Sequence, residues 1–382
     1  MSVRCPELVT MLGELIAINS VSCTQPDWDH SNLPVINKLA AWLDDLGFST
    51  EISPVPDHPG KANLIATLGS GPGGLVLSGH TDTVPFNEER WHSDPLQLTE
   101  RDNRFYGLGS CDMKGFFPLA IEAAKRFLDR DLQQPLIILA TADEESSMSG
   151  ARALAEAGYP KARYAIIGEP TSLKPIHMHK GIMMETVRIE GRAGHSSDPS
   201  LGASALDAMH AVLSELIGYR NELQQNYHNS NFRVSVPTLN LGCIHGGDNP
   251  NRICASCDLE YDLRPLPGMD LDNLREAISQ RLSPLADQFG VSLETHALFP
   301  GVPSFSNEQS ELVKVAEKLT GHQAECVAFG TEAPFLQQMG MDTIVMGPGS
   351  IDQAHQPDEY LAFDQIKPTV AILEQMIARY CL

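Results

Sequence analysis

The stretch Leu75-Val76-Leu77-Ser78-Gly79-His80-Thr81-Asp82 decides the fold. It opens as a short, continuous apolar run and closes on a histidine and an aspartate. Continuous rather than alternating apolarity is what a strand covered on both faces requires. Three further runs share this pattern: Leu136-Ile137-Ile138-Leu139-Ala140, Tyr164-Ala165-Ile166-Ile167 and Thr343-Ile344-Val345-Met346. Between them, apolar residues at 116, 119, 120, 123, 124, 127 and 128 form the stripe of a helix. Val370, Leu373 and Ile377 mark another near the C-terminus. Strands alternating with helices predict an α/β core, a sheet with helices on both faces.

The middle of the chain has a different texture. Residues 184–190 alternate as a half-exposed strand does, and Leu206, Met209, Leu213, Leu216 and Ile217 follow as an amphipathic helix. Cys257, Leu259, Tyr261 and Leu263 alternate again, and a second helical pattern runs over residues 271–289. A strand–helix–strand–helix unit with one polar sheet face predicts a smaller α+β domain at 183–294. It interrupts a larger domain made of residues 1–182 and 295–382.

The length of 382 residues agrees, being too great for one ordinary core. The 27 Lys and Arg against 49 Asp and Glu give a formal charge of −22. A field of that sign repels phosphate backbones and anionic lipid, so neither nucleic acid nor a membrane surface is an expected partner. No apolar run approaches the roughly 18–20 residues that span a bilayer. The first twenty residues, MSVRCPELVTMLGELIAINS, lack the apolar block and cleavage site of a signal peptide, Gly13 and Glu14 interrupting it. Eight cysteines scattered without framework spacing suit free thiols in a reducing compartment. A cytoplasmic location is expected.

Several motifs fail on context. Gly69-Ser70-Gly71-Pro72-Gly73-Gly74 matches G-x-G-x-x-G, but a strand run rather than a helix follows Gly74. A dinucleotide site needs the helix N-terminus there, so the segment reads as a turn between adjacent strands. Cys254-Ala255-Ser256-Cys257 is a lone C-x-x-C in a strand pattern, without the second ligand pair that zinc needs. It reads as core packing. His177-Met178-His179 has no carboxylate partner nearby and reads as a structural or solvent-exposed pair. Neither G-x-S-x-G nor H-E-x-x-H occurs, which removes two common hydrolase designs.

What remains is a constellation. Polar groups follow the apolar runs: His80 and Asp82 after the first, Glu144-Glu145 after the second, Glu169 at the end of the third, and His355 beyond the fourth. Asp112 precedes the helix that starts near Gly115. In open α/β sheets the ligand crevice lies beyond the carboxyl ends of the strands. Residues spread from 80 to 355 would converge there. Alone, His80 is a loop histidine and Glu144-Glu145 an exposed acidic pair. Five imidazole and carboxylate groups at successive strand ends instead point to a metal site.

The segments SGHTDTVP (78–85), GLGSCDMKG (107–115), ADEESSMSGAR (142–152), GEPT (168–171), GRAGHSSDP (191–199) and GPGSIDQAHQPDE (347–359) carry a family resemblance. So do GGDNPNRICASCDLEYDLRPLPGM (246–269) and FGTEAPF (329–335). In order, and over essentially the whole chain, they resemble the zinc aminoacylase and exopeptidase family. The resemblance implies a mixed sheet flanked by helices, with an inserted α+β dimerisation domain. It also implies two Zn²⁺ per subunit, for which Co²⁺ could substitute. Asp112 would bridge them, His80 and Glu169 completing one site, Glu145 and His355 the other. Glu144 would be the general base toward a metal-bridged water, and Asp82 would accept the second N–H of His80 and fix its tautomer. His195 of a partner subunit in a homodimer would donate to the developing oxyanion. The implied substrate is a small N-acyl amino acid, foremost N2-acetyl-L-ornithine of arginine biosynthesis, with N-succinyl-diaminopimelate as the rival. Arg264 is the candidate for its carboxylate, and Gly330, Thr331 and Glu332 are further candidates for substrate contact. A reading of another class, a metal-binding homologue without turnover, leaves the non-ligand Glu144 unexplained.

Overall fold

The computed structural model describes residues 4–382; the first three residues of the N-terminal stretch considered above lie outside the described residues. Up to residue 177 the chain forms α1 (Leu8–Ile16), α2 (Leu33–Asp45), β1 (Ser49–Pro54), β2 (Ala62–Leu68), β3 (Leu75–His80), β4 (Thr99–Arg101), β5 (Arg104–Tyr106), α3 (Phe116–Lys125), β6 (Leu136–Thr141), α4 (Ser149–Ala157) and β7 (Tyr164–Pro170), and starts β8 (Ile176–His179). It continues through β9 (Met183–Glu190), α5 (Ala205–Asn226), β10 (Thr238–Gly246), β11 (Ser256–Arg264), α6 (Leu271–Phe289), β12 (Ser292–Ala297) and β13 (Phe305–Ser306). It ends with α7 (Glu311–Thr320), β14 (Glu325–Val327), α8 (Ala333–Gln338), β15 (Asp342–Gly347), β16 (Tyr360–Ala362) and α9 (Phe363–Cys381).

Two compact units result. The first comprises the described residues up to His177, Asn307–Glu325 and Thr331–Leu382. Its sheet runs in the order β1-β2-β6-β3-β7-β15, followed by the start of β8. β6, β3, β7 and β15 are mutually parallel, whereas β1 and β2 join antiparallel. All six residues of β3 and of β6 are buried, as are all seven of β7. Leu75, Leu77, Leu136, Ile138, Ile166 and Ile344 pack into one core with α2, α3, α7 and α9. The intervening Val76, Ile137, Ile167 and Val345 are buried too, so the run-like apolarity reflects cover on both faces. α3 stops at Lys125, three residues short of the stripe read from sequence. The glycine-rich segment 69–74 links β2 to β3 but not as neighbours, because β6 lies between them in the sheet.

The second unit comprises Met178–Ser306 and Cys326–Gly330, wider than the 183–294 expected. The extra length has a cause: β12 continues to Ala297 by pairing with β9, and the return segment bonds back through Ile182 and Val302. The order is β10-β11-β9-β12, all antiparallel. The alternation in β9 and β11 was legible in the sequence, whereas β10 and β12 were not, having mostly exposed residues. α5 and α6 share a core with Val187, Ile189, Cys257, Leu259, Tyr261 and Leu263. Cys254 and Cys257 pack there, and all eight cysteines are free. His179 is fully buried rather than exposed, and burial lowers its pKa to about 4, against a hydrogen bond to the Lys180 carbonyl. The long segment 178–306 leaves and rejoins the first unit at one point, since the amide of Asn307 donates to the carbonyl of His177 at 2.8 Å; residues 326–330 form a second, short excursion. Among the described residues, no helix is long and apolar enough to cross a membrane.

Candidate metal centre

Because β6, β3, β7 and β15 are parallel, their carboxyl ends open on one edge of the sheet. His80 ends β3 and is buried. Its Nδ1 donates to the main-chain carbonyl of Asp82 at 3.0 Å, which leaves Nε2 as the metal-facing nitrogen. That Nε2 lies 3.1 Å from Asp112 Oδ1 and 3.8 Å from Glu169 Oε1. On the far side, His355 Nε2 lies 2.9 Å from Glu145 Oε2 and 3.7 Å from Asp112 Oδ2. Asp112 therefore stands between the two imidazoles. The five side chains read as ligands from the sequence come together around it.

The backbone around these side chains is unusual. The Asp112–Met113 peptide is cis, and Asp143 and His355 hold positive φ of 58° and 60°. Gly168, just before Glu169, has no side chain for a reason: a Cβ there would fall 2.2 Å from the Phe116 ring. That ring packs α3 against the strand carrying Glu169.

The supporting groups differ in part from expectation. The Asp82 carboxylate was read as the partner of His80, but it stands 3.6 Å from Nδ1, farther than its own carbonyl. It accepts instead the amides of Glu144, at 3.2 Å, and Glu145, at 3.0 Å. Thus it holds the acidic turn. Glu359, which the sequence reading passed over, accepts three amides: Cys111 at 2.8 Å and Asp112 at 2.9 Å on one oxygen, Gly109 at 3.0 Å on the other. It lies in the quoted segment with His355, and an acid so close to a ligand was the available signal. Lys61 and Asp143 form a second buried set, joined at 2.8 Å; no local motif announces Lys61.

The electrostatics favour a cation. Glu144, Glu145 and Glu169 all have raised pKa values, first from burial and then from one another or from Asp112. Burial opposes charge on His80, yet Asp112, Glu169 and Asp82 outweigh it and raise its pKa well above the usual value. His355 is raised to about 9, chiefly by its bond to Glu145. Glu169 Oε1 is buried without a hydrogen-bond partner. Ligand atoms of His80, Glu144 and Glu169 lie within 4.8 Å of one another, as do those of His80, Asp112 and Glu145. Imidazole and carboxylate donors at this spacing fit zinc-like divalent ions. The structure thus puts Glu144 within ligand reach beside Glu145.

Of the substrate candidates, Thr331 and Glu332 belong to this first unit and are wholly buried. Glu332 Oε2 accepts the Thr141 hydroxyl at 2.9 Å, and burial raises its pKa to about 7. Such burial suits a support for the end of β6 better than a substrate contact. Gly330, Arg264 and His195 belong to the second unit. A Cβ on Gly330 would meet Ile182 Cδ1 at 2.6 Å. Arg264 Nε donates to Asp262 at 2.9 Å. His195 is exposed, its Nδ1 2.7 Å from the Ser197 hydroxyl.

Comparison with known proteins gives a consistent picture. The profile of Peptidase family M20/M25/M40 matches residues 76–379. A protein of Edwardsiella ictaluri (strain 93-146) named acetylornithine deacetylase is 50% identical over 382 residues, covering 100% of both chains. One of the same name from Pasteurella multocida (strain Pm70) is 48% identical, covering 99% of each. Among solved structures, the M20 family metallo-carboxypeptidase Sso-CP2 from Sulfolobus solfataricus superposes with a TM-score of 0.76 at 17% identity, covering 97% of this chain and 98% of that one. A dinuclear metal-binding M20 peptidase from Bacillus subtilis gives 0.68 at 16% identity, covering 98% and 97%.

Proposed function

The chain belongs to Peptidase family M20/M25/M40, and from that premise we propose that it removes acetate from N2-acetyl-L-ornithine. It is a metal-dependent amide hydrolase. The substrate assignment draws on the full-length relatives named acetylornithine deacetylase. The observation that carries the chemistry is the meeting of His80, Asp112, Glu145, Glu169 and His355 at the carboxyl ends of parallel strands.

His80 and Glu169 would hold one ion, Glu145 and His355 the other, with Asp112 between; zinc is the proposed metal and cobalt a substitute. Two such ions, when bound, supply Lewis acidity to the amide carbonyl and acidify the attacking water. Glu144 takes that water's proton and delivers it to the leaving amine. Asp82 aims Glu144 by holding its amide and that of Glu145. Arg264 is proposed to receive the substrate's carboxylate. In a homodimer, the partner's His195 is proposed to donate to the oxyanion. A soluble, cytoplasmic setting suits this role.

The test is acetate release from N2-acetyl-L-ornithine by zinc-loaded protein, with and without chelator, beside N-succinyl-diaminopimelate. No acetate release, or release that a chelator leaves untouched, would overturn the assignment. Faster release of succinate would move it to the rival substrate.

A further inference from the structure

Lys61 precedes β2, and its side chain is only 4% exposed. Its Nζ donates to Asp143 Oδ1 at 2.8 Å and to Asp29 Oδ1 at 2.7 Å. Each acceptor organises a different segment. The Asp143 carboxylate also accepts the hydroxyls of Ser22 at 3.0 Å and Ser149 at 2.8 Å. Its carbonyl accepts the amides of Ser147 and Met148, closing the left-handed turn from which Glu144 and Glu145 emerge. Asp29 accepts the amide of Cys23 at 3.1 Å, and the amide of His30 donates to the carbonyl of Val21. These bonds close residues 23–30 into a loop. Trp28, His30 and Val21 of this region wall a cavity of about 650 Å³ with Phe86 and Glu88. Val21 bridges to Thr83, next to Asp82, so the cavity adjoins the strand end that carries His80.

We propose that Lys61 is a positioning residue that ties the cavity-wall loop 23–30 to the turn bearing Glu144 and Glu145. A buried ammonium shared by two carboxylates constrains both, because neither can move without leaving a charge unpaired. The turn needs such a hold. Asp82 fixes the amides of Glu144 and Glu145, but the preceding residue sits at φ +58° and is held through its own side chain. Loss of Lys61 therefore frees the base on one side and the wall on the other. The inference deepens the amide-hydrolase reading and rests on it.

Three variants separate the two arms. Lys61→Met should lower kcat about 10–100-fold and raise KM, since small misplacements of a catalytic group cost up to about 10²-fold. Asp29→Ala removes the Oδ1 that accepts both Lys61 and Cys23, so it cuts the loop arm alone and should raise KM about 3–10-fold with kcat within about twofold. Lys61→Arg, which keeps the charge and can reach both carboxylates, should restore most of kcat. Amide hydrogen exchange on metal-free protein gives a readout independent of turnover. Lys61→Met should speed exchange in both 23–30 and 143–148, and Asp29→Ala only in 23–30. The proposal is overturned if folded Lys61→Met keeps kcat and KM within about twofold of the unaltered protein. It is overturned equally if its melting temperature falls with no local change in exchange. If the unaltered protein hydrolyses no N-acyl amino acid, the functional reading fails, and the exchange pattern alone judges the tie.

Discussion

Replacing Glu359 with Gln should loosen the loop that presents Asp112, and the size of the effect can be worked from three bonds. One Glu359 oxygen accepts Cys111 and Asp112, and the other accepts Gly109. Glutamine keeps one carbonyl oxygen, which can retain the first two. Its amide group then faces the Gly109 N–H, donor against donor, in a site only 2% exposed. The loss is one charge-assisted bond plus one unpaired buried donor, about 1.5–3 kcal/mol. At about 2–4 °C per kcal/mol for a unit of this size, the melting temperature should fall by about 3–12 °C. Since the bonded amide of Asp112 belongs to the ligand standing between the two imidazoles, metal affinity should fall as well. Every 1.4 kcal/mol that reaches the metal-loaded state is a tenfold weakening. Competition with a chelator for Zn²⁺, beside calorimetric melting with and without metal, measures both. A Glu359→Gln protein that melts within 1 °C of the parent and binds zinc within about twofold would refute the argument.

Glu144→Gln should cut turnover by about 10²–10⁴-fold with metal content unchanged; loss of zinc would make Glu144 a ligand, as its closeness to His80 and Glu169 allows. Mixing His195→Ala with Glu144→Ala chains should restore up to half of one dimer's activity, because one of the two sites is then complete; demonstrated subunit exchange without activity would remove His195 from the partner's site. His179 stays neutral in the fold down to about pH 4, whereas an unfolded histidine takes up its proton near pH 6.5. The unfolded chain therefore binds more protons between those values, so stability is lost as pH falls through that window, by up to about 1.4 kcal/mol per unit. His179→Asn should flatten that part of the melting temperature against pH in metal-free protein, and an unchanged slope would contradict the burial argument.

The fold was legible where burial is two-sided or regularly alternating. The runs at 75–77, 136–140, 164–167 and 343–346 became β3, β6, β7 and β15 because each is covered on both faces. The site was legible for the same reason, as each ligand read from the sequence follows such a run or precedes a helix. β10 and β12 escaped because most of their residues are exposed, and the short apolar alternation of β10 at Leu239 and Leu241 stops at a glycine. Pairing order also escaped: nothing local in residues 69–74 says that β6 will enter between β2 and β3. The Asp82 role was misread because a carboxylate two residues from a histidine looks like its partner, whereas the carbonyl is nearer. Lys61 acts on residues 32 and 82 positions away in sequence and Glu359 on residues at least 247 away, distances that no motif spans.

The Asn307–His177 bond has an architectural consequence. The 129 residues between its ends could be exchanged for a two- or three-residue bridge, which would lower the entropic cost of closing that loop by roughly 3 kcal/mol. Such an insert is modular: its host can gain, lose or replace it without re-threading the sheet. One short debt would remain after excision. Cys326–Gly330 belongs with the insert although it lies beyond it in the chain, and Cys326 packs on the insert's core. A graft of this module must therefore carry two cuts rather than one, the long segment and this five-residue strap.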